Sequence, residues 1–121
     1  MFILVVEDDP DLSQVLAEIL SSFGHQVERA HDGADALDCL IRADERPALI
    51  LSDLAMPIMD GWSFLNELRK NSELARIPVV IMTASSEVGE QARASGARAV
   101  LYKPVDVQKL ERLINHFVKA A

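Results

Sequence analysis

The sequence is nearly without cysteine: Cys39 is the only one among 121 residues. One thiol cannot close an internal disulfide, so the core alone has to hold the fold. Cys39 lies in the run Leu37-Asp38-Cys39-Leu40-Ile41, where it reads as a small buried hydrophobe. Basic residues are also scarce. Lys and Arg number 12 against 19 Asp and Glu, a net charge of −7, and the cations form no cluster. A nucleic-acid footprint needs a basic face, so no direct binding to DNA or RNA is expected. The acidity suits solubility, a cation site or a basic partner. Long apolar runs are missing, and no stretch approaches membrane-spanning length. The opening Met1-Phe2-Ile3-Leu4-Val5-Val6-Glu7 carries no basic segment, so it does not read as a secretion signal. A soluble, cytoplasmic chain without membrane contact is expected. No repeat, low-complexity tract or Pro/Gly/Ser-rich linker interrupts it, so residues 1–121 are expected to form one domain.

Half of the residues are hydrophobic, enough for a sizeable core. Five short apolar runs stand out: Phe2–Val6, Gln26–Ala30, Ala48–Leu51, Pro78–Met82 and Ala99–Tyr102. Four are nearly continuous Val, Ile and Leu, the pattern of strands buried on both faces. The second keeps only Val27 and Ala30 and suits a sheet edge. Helical spacing fills the gaps. Leu12, Val15, Leu16, Ile19 and Leu20 form one stripe, ended by Gly24. Ala36, Leu37, Leu40 and Ile41 repeat the pattern, as do Phe64, Leu65 and Leu68. Glu87 to Ser95 gives a weaker helix before Gly96, and Leu110, Leu113, Ile114 and Phe117 mark the last. Strands separated by helices become parallel neighbours through right-handed crossovers. The expected fold is α/β, an open five-stranded parallel sheet with helices on both faces. Ligands of such sheets bind beyond the carboxyl ends of the strands.

Four of those ends carry chemistry. The first run is followed by Glu7-Asp8-Asp9, the third by Asp53, the fourth by Thr83 and the fifth by Lys103-Pro104. Carboxylates gathered at one strand end repel one another, and burial adds to the cost. A hard cation is the usual remedy. Mg²⁺ prefers oxygen and takes one or two carboxylates directly, keeping several waters. Asp8 and Asp53 suit direct ligation and Glu7 a contact through water. With metal and cation beside it, Asp53 can act as a nucleophile and form an aspartyl phosphate. Lys103 offers a point charge to a phosphoryl oxygen, and the Thr83 hydroxyl can donate to another. Small Ala84 leaves room.

At these residues the chain resembles the receiver domains of bacterial response regulators. The matching motifs are Ile3-Leu4-Val5-Val6-Glu7-Asp8-Asp9-Pro10, the stretch from Leu51 through Asp53 to Gly61, Met82-Thr83-Ala84 and Tyr102-Lys103-Pro104. The resemblance implies a CheY-like fold with strand order 2-1-3-4-5. It implies phosphorylation at Asp53 by a histidine kinase or a histidine phosphotransfer protein, and an unknown downstream protein target. It implies Mg²⁺ held by Asp8, Asp53 and the backbone carbonyl of Ala55, with Glu7 acting through water. Thr83 and Lys103 match the residues that read the phosphoryl group, and the bond before Pro104 is usually cis. The chain departs from the family at three points. Val100 stands three before Lys103, where many members carry Tyr or Phe, and Tyr102 is expected to sit differently and not to replace it. The stretch from Thr83 to Gly96 is short. No output domain is expected after the last helix. All three touch the face that in the family commonly carries homodimer or partner contacts.

Plainer readings cover other residues. Asp9 caps a helix begun by Pro10, and Asp60-Gly61 turns into the third helix. His25, His31 and His116 read as surface residues away from carboxyl strand ends. Trp62 packs near the start of the third helix, and Met56, Met59 and Met82 pack. An aspartyl-phosphate enzyme of the haloacid dehalogenase type would need Asp-x-Asp, where this chain has Asp53-Leu54-Ala55. A nucleotide or flavin domain would need a phosphate-cradling loop where Glu7-Asp8-Asp9 stands. A receiver that signals without phosphorylation would not need the full acid, threonine and lysine set. The chain is therefore expected to be a signalling phosphoacceptor with self-catalysed phosphorylation rather than an enzyme.

Overall fold

The structure is a computed structural model and describes residues 2–54 and 60–118. Strands and helices alternate as β1 (Phe2–Val6), α1 (Pro10–Ser22), β2 (Gln26–Ala30), α2 (Gly33–Arg42), β3 (Leu49–Asp53), α3 (Gly61–Arg69), β4 (Val79–Thr83), α4 (Ser86–Ala94), β5 (Ala99–Tyr102) and α5 (Val107–Phe117). A short 3₁₀ turn, Leu74–Arg76, precedes β4. The five strands form one parallel sheet in the order β2-β1-β3-β4-β5, as the motifs imply.

The three central strands, β1, β3 and β4, each feed two cores. Leu4, Val6, Ile50 and Ile81 face Ala36, Leu40, Phe64, Leu68 and Ala92 of α2, α3 and α4. Ile3, Val5, Leu49, Leu51, Val80 and Met82 face Leu16, Leu20, Leu110 and Ile114 of α1 and α5. Successive strand residues point to opposite faces. Both faces are covered, so the strands read as unbroken apolar runs. β3 and β4 run further than those runs. Asp53 pairs with Met82 and Thr83 with Tyr102, which makes Asp53 and Thr83 the last residues of their strands. A polar side chain does not end a parallel ladder when the backbone still has a partner.

Two apolar residues are not where the helical stripes place them. Val15 is 48% exposed and Ile41 77% exposed. The buried residues of α1 are Ser13, Leu16 and Leu20, and those of α2 are Gly33, Ala36 and Leu40. Val15 stands one residue before buried Leu16 and Ile41 one residue after buried Leu40, each on the flank of its stripe.

Four of the five α-helices described start at an acidic cap, Asp9, Asp32, Asp60 and Asp106. Asp9 accepts the amides of Asp11 and Leu12, with Pro10 opening α1. Asp60 accepts the amide of Ser63 at the start of α3. The Gly61 amide donates to the Leu54 carbonyl at 2.8 Å, which seats α3 against the end of β3.

Candidate functional site

The ends of four strands carry the site residues to one crevice. Glu7 follows β1, and its amide donates to the Ala30 carbonyl of β2. That bond extends the β1–β2 pairing by one residue and leaves the side chain 2% exposed. Asp8 beside it is exposed, while Asp53 and Thr83 are buried. The Lys103 amide donates to the Thr83 carbonyl, and the Lys103–Pro104 bond is cis. The Lys103 Nζ lies 3.4 Å from Asp53 Oδ2 and 3.5 Å from Glu7 Oε1. The sequence thus places Glu7, Asp8, Asp53, Thr83 and Lys103 at strand ends, and the fold brings them together. Ala55, Met56 and Met59 lie outside the described residues.

The charges are out of balance. Glu7 is pushed from 4.5 to about 7. Burial is the main cause, the Asp53 charge and a hydrogen bond with Asp8 add to it, and the Asp9 amide and Lys103 oppose it. Burial draws Lys103 down, but Asp53 and Glu7 outweigh it and hold the ammonium above its usual range. One cation therefore does not neutralise three acids. Glu7, Asp8 and Asp53 each offer an oxygen, and those oxygens lie within 4.8 Å of one another. An all-oxygen, partly buried cluster with surplus negative charge fits a small hard cation.

Thr83 Oγ1 accepts the Ser85 amide at 3.2 Å, and Ser85 in turn caps α4 through the Val88 amide. A cavity of about 610 Å³ opens between Asp53, Thr83 and Lys103 on one hand and Leu54, Trp62 and Val88 on the other. A larger groove of about 820 Å³ runs past Phe2, Glu28, Cys39 and Arg42. It opens at the start of β1 and β2, the opposite end of the sheet, and holds none of the strand-end set. Cys39 is half-buried there rather than buried, and burial pushes its thiol up, which keeps it protonated and unreactive.

One reading gains detail and one needs correction. Tyr102 stands two residues after Val100, so both side chains leave β5 on the same face. The Tyr102 ring is 40% exposed and lies on α4 at Gly89, where an added Cβ would meet its hydroxyl at 2.6 Å. It lines a groove with Val100, Pro104 and Leu113, apart from the described lining of the cavity beside Asp53. His31 directly follows β2, so it does stand at a carboxyl strand end. It remains a surface residue, with Nδ1 3.1 Å from Asp32 Oδ2 and Nε2 3.5 Å from Asp35 Oδ2. Buried Asp32, which caps α2 through the Asp35 amide, went unread. The signal available was an acid before the small residues Gly33-Ala34.

A doubly wound parallel sheet with an acidic crevice and a lysine over it defines a class of α/β signalling domains that work at their strand ends. The family model of the response regulator receiver domain matches residues 3–115. Protein PilH of Pseudomonas aeruginosa is 35% identical over 93% of this chain and 93% of its own length. Among solved structures, the chemotaxis response regulator CheY4 of Vibrio cholerae superposes with a TM-score of 0.87 at 30% identity, over 96% of this chain and 97% of its own. The receiver domain of sensor histidine kinase PA1611 from Pseudomonas aeruginosa PAO1 also has a TM-score of 0.87 at 30% identity, over 98% and 97%. That structure holds a magnesium ion coordinated in its active-site cleft. The chain spans about half the length of several further response regulators that it matches. It belongs to the response regulator receiver domain family, the phosphoaccepting modules of two-component signalling. No helix among the described residues is long and apolar enough to cross a membrane.

Proposed function

We propose that this chain is a single cytoplasmic receiver domain. It takes a phosphoryl group from a histidine kinase or histidine phosphotransfer protein onto Asp53 and switches binding to a downstream protein. The observation that carries the reading is the position of the Lys103 Nζ, within 3.5 Å of both Asp53 and Glu7 at the mouth of the crevice. Glu7, Asp8 and Asp53 would hold Mg²⁺. Bound there, the ion would offset the charge of the incoming phosphoryl group. The chain's own groups do the rest. Asp53 presents Oδ2, the oxygen that faces the Lys103 Nζ, as nucleophile, since Oδ1 already accepts the Leu54 amide at 2.8 Å. Lys103 attracts a phosphoryl oxygen, and the Thr83 hydroxyl donates to another. Because these groups are fixed in the domain, it catalyses its own phosphorylation. Thr83 also links the site to α4 through Ser85. A phosphoryl oxygen that draws the Thr83 hydroxyl toward itself moves Oγ1 away from the Ser85 amide, and biases α4 between two positions.

Intact mass after incubation with acetyl phosphate tests the reading. One phosphoryl group should be added with Mg²⁺, and none with excess chelator or in Asp53→Asn. A protein that gains no phosphoryl group and binds no Mg²⁺ would be a receiver-shaped scaffold that works by binding alone.

A further inference from the structure

The cavity beside Asp53 has more room and more apolar wall than a phosphoryl group can use. At about 610 Å³ it falls within the range of small-molecule pockets, roughly 300–1,000 Å³. Its polar side, Asp53, Thr83 and Lys103, accounts for the phosphoryl oxygens. Leu54, Trp62 and Val88 remain, with Asp60 beside them. Phosphoryl oxygens gain nothing from such a wall, which cannot hydrogen-bond to them. Trp62 and Val88 are both half-buried, packing against the core while they line the cavity. They come from different helices, α3 and α4, and both line this cavity.

The rest of the donor is what the wall can hold. A phosphohistidine carries its phosphoryl group on an imidazole, which is flat and, when its second nitrogen is protonated, cationic. An indole binds flat rings and cations through its face, and the Asp60 carboxylate adds negative charge beside it. Resting on the proposed function above, we propose that Trp62, with Val88, is a specificity-determining residue that receives the imidazole leaving group. In the transfer the Asp53 oxygen forms a bond to phosphorus as the phosphorus–nitrogen bond breaks. The electron pair stays on that nitrogen, and neutral imidazole leaves carrying the proton of its second nitrogen. Phosphoramidate transfers the same group but releases ammonia, which has no ring to stack.

Initial rates with phosphoimidazole and with phosphoramidate, both with Mg²⁺, test the proposal. Trp62→Ala should lower the phosphoimidazole rate about tenfold relative to the phosphoramidate rate. Trp62→Phe should keep most of the ratio, and Val88→Ala should lower it by less. The phosphoramidate rate serves as the control for folding. If both rates fall together in Trp62→Ala, or the ratio does not move in any variant, the wall merely closes the core and the proposal fails. If the unmodified protein takes phosphate from neither donor, the reading on which it rests has failed instead, and this proposal with it.

Discussion

Gly61→Ala should destabilise the protein by about 1–3 kcal/mol and slow its phosphorylation at least tenfold. An added Cβ would stand 2.6 Å from the Asp53 carbonyl oxygen, 2.7 Å from Leu54 Cα and 2.8 Å from Leu54 Cδ2. Two of those atoms are backbone and cannot rotate away. Either α3 retreats, or the end of β3 shifts and takes Asp53 with it. The Gly61 amide is tied to Leu54, so the two move together. Urea unfolding measures the first effect and the acetyl phosphate reaction the second. Gly89→Ala is the informative contrast. Its clash is with the ring of half-exposed Tyr102, which can swing out. Replacing a glycine within a helix also gains up to about 1 kcal/mol, so this variant should unfold at or above the normal urea midpoint. Equal behaviour of the two variants would show that the contact between α3 and β3 is not rigid.

Glu7→Gln should make the metal-free protein more stable at pH 8 and no more stable near pH 4.5. Glu7 is an acid whose folded value, about 7, lies above its ordinary 4.5. Below both values the folded and unfolded chains carry the same proton, and Glu7 has no effect. As pH rises between them the unfolded chain ionises first, and stability falls. Above the folded value the whole difference is lost, on the order of 3 kcal/mol at about 1.4 kcal/mol per unit. Glutamine keeps an oxygen for the Asp9 amide, which now donates to Glu7 at 3.3 Å, but cannot ionise. Thermal unfolding in chelator across that range should show the advantage of the variant growing with pH. Mg²⁺ should then stabilise the unmodified protein more than the variant. A constant difference across pH would mean that burial does not disfavour the Glu7 charge.

The sheet could be read because four strands are buried on both faces and show it in every residue. The candidate site could be read because Glu7, Thr83 and Lys103 each follow an apolar run directly, and Asp53 follows one after Ser52. What escaped depends on angles or on neighbours distant in the chain. Val15 and Ile41 stand one position off the centre of their stripes, a rotation that a list of apolar residues does not reveal. Tyr102 meets Gly89 only because β5 packs beside α4, and strand spacing should already have put it on the face of Val100. Trp62 reads as packing from its place at the start of α3. Its second surface, toward Asp53 and Val88, exists only once both helices are docked.

Lys103 and Glu7 stand 96 positions apart in the chain and touch in the fold. A chain leaving the ribosome therefore presents the acids of β1 and β3 well before the lysine that answers them. Until β5 is laid against β4, the crevice is a cluster of negative charge with no resident cation. On the function proposed above, a chain that stops short of β5 has no ammonium in the crevice to meet a phosphoryl group.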